Sequence, residues 1–118
     1  MPVRAAVTLG LILAFAPPAA AEPPRMVQSS PVARSAMDGS RQEIWVRFDH
    51  PVDHNTSRLL VLQGGSLVRA LHPRLDASPD TLYALAGSLA PGEYLLRWEA
   101  RSRRTGEMAE GSLPFTVR

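Results

Sequence analysis

Beyond residue 42 the chain is organised by alternation. In "EIWVRF" Ile44, Val46 and Phe48 point one way while Glu43, Trp45 and Arg47 point the other, the period of a half-buried strand. "EYLLRWEA" repeats the pattern, with Tyr94, Leu96, Trp98 and Ala100 on one face and Leu95, Arg97 and Glu99 on the other. In the last segment, "SLPFTV", Leu113, Phe115 and Val117 point inward, with Ser112 and Thr116 outside. Between these lie "RLLVL" and "LVRAL", separated by Gln63-Gly64-Gly65-Ser66, and Gly-Gly between two apolar runs is a hairpin signal. "TLYALAG" is a further strand, and "LAPGE" turns tightly into the next one.

Residues 22–42 read as mostly irregular, punctuated by Pro23, Pro24, Pro31 and Asp38-Gly39; only "RMVQS" is a candidate short edge strand. "DHPVDHNTS" and "HPRLDASPD" are loops, and "RRTGEMAEG" is a charged connection between the last two strands. Six or seven short strands with no 3.6-residue apolar period argue for an all-β fold, an Ig-like Greek-key β-sandwich of about seven strands. "SRLLVLQ" and "TLYALAGSLA" are the only stretches that could form helical turns in isolation.

The N-terminal pattern is different. Arg4 precedes an apolar run from Ala5 to Ala16, then Pro17-Pro18 and Ala19-Ala20-Ala21, the order of a secretory signal peptide with cleavage expected after Ala21. The run is shorter than the ~20 apolar residues of a membrane span. Removing residues 1–21 leaves 97, one small domain over 22–118 with a single core. Arg4 leaves with the leader, so the net charge of +2 falls to +1, too small for a nucleic-acid or anionic-membrane surface. All 13 basic residues are Arg. With no Cys, the domain has neither disulfides nor thiolate metal ligands, and its stability rests on its core.

Candidate chemistry is sparse. "DHPVDH" groups Asp49, His50, Asp53 and His54, with His72 further on, and this mixed N,O donor set suits Cu(II), Ni(II) or Zn(II). Its spacing is not a ready chelate, because Pro51 forbids the helix on which His50 and His54 would meet, and four residues of extended chain span ~13 Å. No Gly-x-Ser-x-Gly elbow or phosphate-cradling glycine loop is present. A carboxylate pair such as Glu107 with Glu110 has a spacing open to glycoside hydrolysis, but it stands on a small sandwich with no evident cleft, so an enzyme is not expected.

Taken together, "RMVQSSPV", "IWVRFDHPV", "SLAPGEYLLRWEARS" and "GSLPFTV" resemble the CopC family of periplasmic copper-resistance proteins. The resemblance covers essentially the whole mature chain, with Pro91-Gly92, Tyr94, Trp98 and the closing strand in the family's order. It implies a β-sandwich that binds Cu(II) through the mature N-terminal amine, a His beside it and an Asp-x-His pair before the last strand, with a Glu of an early Phe-Ser-Glu motif nearby. Carried over residue by residue, Thr105 stands where the family has Asp, and Glu107 where it has His. Cleavage after Ala21 exposes Glu22, strand alignment puts Pro23 at the family's N-terminal His, and His50 occupies the position of the Glu. Residues 58–75, matching the family's Met-rich Cu(I) loop, contain no Met.

The resemblance therefore implies a periplasmic CopC-like protein of copper homeostasis that binds a divalent metal, copper, weakly through His50, Glu107 and Glu22, with His54 in reach. The alternative is a degenerate member without tight metal binding, acting as an exported interaction module. A monomer is expected, and any membrane copper transporter working with it is a separate chain.

Overall fold

The computed structural model describes residues 22–38 and 42–118; the leader expected over residues 1–21, with its cleavage point, lies outside them. Eight strands follow in order: β1 (Met26–Ser30), β2 (Ser35–Met37), β3 (Gln42–Phe48), β4 (Arg58–Gln63), β5 (Ser66–Leu71), β6 (Thr81–Gly87), β7 (Gly92–Arg101) and β8 (Met108–Val117). They form a three-stranded sheet, β1-β3-β6, and a five-stranded sheet, β2-β8-β7-β4-β5. The fold is the expected all-β sandwich, with one strand more than the seven read from the sequence.

The alternating strands bury the faces their patterns assign. Ile44, Val46 and Phe48 of one sheet meet Leu59, Val61, Leu96, Leu113, Phe115 and Val117 of the other, all at most 2% exposed. Each large apolar side chain buried this way contributes roughly 1.5 to 3 kcal/mol, the term that offsets chain entropy in a domain without disulfides. Trp98 crosses the interface: its ring meets Phe48 edge-on at 5.1 Å between centroids. The indole lies over Gly111, its cross-strand partner, where an added Cβ would stand 2.5 Å from Cζ2.

The β4–β5 hairpin turns on Gly64 (φ 58°) and Gly65 (φ 82°), both left-handed, as a two-residue turn matching the twist of its strands requires. β5 is an edge strand, and it closes the side of the sandwich with a charge. The Arg69 guanidinium donates to the carbonyl of Ala86 and, at 3.1 Å, to that of Ser88, so β5 reaches the edge of β6 in the opposite sheet. An inward-pointing charge on an edge strand opposes pairing with other chains.

Two segments differ from the sequence reading. β2 lies within the stretch read as irregular; its three residues are too few to show a period, and they pair in parallel with Phe115 to Val117 of β8. β8 begins at Met108 rather than Ser112, so the charged connection shortens to residues 102–107. The ladder with β7 runs without a break from Arg101 opposite Met108 to Gly92 opposite Val117. Its backbone hydrogen bonds override the weak strand character of "MAEG".

Replacing Trp98 by Ala is expected to lower unfolding free energy by about 3 to 5 kcal/mol. Gly111→Ala should cost about 1 to 3 kcal/mol through overpacking against the indole. Denaturant titration measures both; a change below about 0.5 kcal/mol in either would mean that the indole is not wedged between the sheets.

Candidate metal site at one end of the sandwich

One end of the sandwich gathers three chain segments by backbone bonds. The Asp49 N–H donates to the Arg25 carbonyl at 2.9 Å, and the Arg25 N–H donates to Asp49 Oδ1 at 3.0 Å, which ties the stretch before β1 to the loop after β3. The Arg103 N–H donates to the Pro51 carbonyl at 3.0 Å, and the Asp53 N–H to the Arg101 carbonyl at 2.9 Å. Val52 and Ser102 form an isolated antiparallel bridge between them. Residues 22–25, the "DHPVD" loop and the loop joining β7 to β8 are thus neighbours.

His50 sits in this junction with its side chain 11% exposed. Its Nδ1 lies 2.9 Å from Asp49 Oδ1, so in the neutral ring Nδ1–H donates to the carboxylate and Nε2 carries the lone pair. Nε2 is buried and has no hydrogen-bond partner among the described residues. A buried polar atom left this way has a cost, and an ion or water taken up at the lone pair would offset it. The carboxylate on the far nitrogen is the partner that orients metal-ligating imidazoles.

The loop facing His50 is held by Ser102, buried at 2% exposure and not singled out in the sequence reading. Its Oγ accepts the N–H groups of Arg104 and Thr105, both at 3.2 Å, and its carbonyl accepts Gly106 N–H at 2.9 Å. Gly106 has a φ of 77°, in the left-handed region. Thr105 Oγ1 accepts the Glu107 N–H at 3.2 Å, the bond an Asp carboxylate makes in an Asx turn. The Ser at the start of "SRRTG" is the signal that could have identified this turn. Glu107 is exposed, and its carbonyl accepts the Ser102 N–H at 2.8 Å. The Arg101 guanidinium caps the Gly106 carbonyl at 2.7 Å.

The remaining histidines go elsewhere. His54 Nε2 faces two carbonyl oxygens, Thr81 at 2.7 Å and Ser78 at 3.2 Å, so it carries the proton and ties its loop to the start of β6. His54 lines a cleft of about 460 Å³ with the exposed His72, away from His50. Glu22 is exposed, three residues before the Arg25–Asp49 tie. Glu110 lies on β8 and pairs with Arg97 at 2.7 Å. Among the described residues no group of three His, Cys, Asp or Glu is arranged to hold a metal ion. The end presents one imidazole nitrogen on an ordered scaffold; it does not present a chelate.

Comparison with known proteins assigns the scaffold. The CopC domain profile matches residues 26–118, and the chain belongs to that family. It is similar in structure to CopC from Methylosinus trichosporium OB3b, with a TM-score of 0.70 and 29% identity over 80% of this chain and 92% of that one. It also shares its fold with PcoC, a methionine-rich copper resistance protein from Escherichia coli, at a TM-score of 0.62 and 23% identity over 82% of this chain and 100% of that one. No curated protein sequence matches it.

Asp53 gives this end a pH response. The Asn55 N–H, 2.9 Å from Oδ1, holds its carboxyl below the usual carboxylate value, with Thr56 and the Arg103 charge adding to the effect. A depressed folded pKa contributes stability that is present above the unfolded value, about 3.9, and is lost as pH falls through the folded one. Asp53→Asn keeps the turn acceptor and removes the charge, so its melting temperature should fall less steeply below about pH 4 than the parent's. Parallel slopes would show that Asp53 does not carry the acid response.

Proposed function

We propose that this is an exported, copper-homeostasis member of the CopC family in which the Cu(II) site is reduced to a weak one centred on His50. It acts by binding and carries no catalytic function. The observation that carries the reading is the buried His50 Nε2, without a hydrogen-bond partner among the described residues, with Asp49 on the opposite ring nitrogen. The donor set suits a weakly held cation, with the Glu22 amine and Glu107 as the remaining donors on adjoining segments. It is poor for tight Cu(II), which prefers several nitrogen ligands in a tetragonal arrangement. The periplasmic setting rests on family kinship and on the leader pattern, and a membrane copper transporter would be a separate chain.

A second reading, a member without metal binding that serves as an interaction module, is favoured by the lack of any three-ligand group among the described residues. Titration with Cu(II) against a competing chelator separates the two. Weak binding that disappears in His50→Ala supports the first; no binding by the parent supports the second.

The triple change Glu22→His, Thr105→Asp and Glu107→His should raise Cu(II) affinity by several orders of magnitude, since losing even a partner of a ligand typically costs 10- to 100-fold. No gain would mean that the β7–β8 loop does not correspond to the family's Asp-x-His loop. Tight binding by the parent would make His50 and its neighbours a complete site.

A further inference from the structure

A second candidate site lies on the outer face of the three-stranded sheet. Because Ile44 and Val46 point inward, Trp45 and Arg47 point out, and on the neighbouring strand Tyr83 stands directly opposite Trp45. The loop between β5 and β6 rises beside them, and together they line an open groove of about 530 Å³, within the ~300–1,000 Å³ typical of small-ligand sites. Trp45 is half-buried in it.

The polar side chains around the groove are already paired with one another. Arg47 Nη2 donates to Gln28 Oε1 at 3.0 Å. The Arg74 guanidinium grips Asp76 through two bonds of 3.1 Å, which lowers the Asp76 carboxyl below its usual value. The Tyr83 hydroxyl donates to Glu43 at 2.7 Å, and the proton it shares with that carboxylate is held more tightly than in a free phenol. The lining carries two Arg and one carboxylate, Asp76, with Glu43 and Asp80 just outside it on the Tyr83 and Thr81 hydroxyls, so charges of both signs surround the groove. Spare capacity remains on both sides: most N–H donors of Arg47, the Gln28 amide and the outer lone pairs of Asp76.

We propose that this groove binds a neutral carbohydrate. A sugar ring has an apolar C–H face that packs on an aromatic surface, and hydroxyls that donate and accept at once. Trp45 supplies the surface; the planar amide, guanidinium and carboxylate groups supply partners for the hydroxyls. The pairing that each arm already makes reduces the ordering cost of binding.

Trp45 is also the reporter, since the other tryptophan, Trp98, is buried in the core. The exported protein is titrated with cellotriose, maltotriose and chitotriose, and with benzoate as an anionic comparison, while tryptophan emission is followed. At least one trisaccharide should give a saturable change with a midpoint of about 1 mM. Arg47→Gln, with an unchanged melting temperature, should weaken that midpoint about tenfold, as expected for loss of a hydrogen bond to a charged donor. Trp45→Phe should abolish the emission change while ligand-observed NMR still detects weaker binding. The proposal is overturned if no trisaccharide saturates at about tenfold above that midpoint, if Arg47→Gln binds as well as the parent, or if benzoate saturates and the sugars do not.

Discussion

Within the apolar core that joins the two sheets, one aromatic side chain makes the central contact. Trp98 rises from β7, spreads over the bare backbone of Gly111 on β8, and meets Phe48 of the other sheet edge-on. The contact works because a glycine stands where any larger residue would push the indole away. Tyr94 stacked on Phe115 at 5.6 Å makes a second aromatic contact lower in the same ladder.

The functional result is a separation between scaffold and side chains. Backbone bonds, with the Asp49 carboxylate on the Arg25 N–H, bring residues 22–25, 49–53 and 101–107 together. On that frame the chain places one imidazole with a carboxylate behind it, and a loop whose Thr105 reproduces the turn bond of an Asp without its charge. The frame is that of the CopC family, and among the described residues no group of three His, Cys, Asp or Glu stands together on it.

Most of the fold could be read in the sequence because its inward and outward residues alternate cleanly. Ile44, Val46, Phe48, Leu96, Trp98, Leu113, Phe115 and Val117 all fell on the expected side. Gly64-Gly65 marked its own turn. β2 was not legible because three residues carry no period, and the first part of β8 was hidden because "MAEG" owes its strand to the partner ladder rather than to its own propensities. At the site, His50 and the connection before β8 could be named from the residues and the resemblance. The role of Asp49, the burial of Ser102 and the diversion of His54 to two carbonyls could not, since each depends on contacts between segments distant in sequence.

The Arg69 side chain carries a consequence for how the domain breathes. It joins the two sheets on the β5–β6 side through carbonyl oxygens, rather than through an apolar contact of the kind Trp98 makes across the middle. A seam closed by a charged group can exchange its partners for water at modest cost, whereas the aromatic seam cannot. The sandwich therefore has a hinge side and a latch side. Solvent between the sheets is expected to enter first on the latch side.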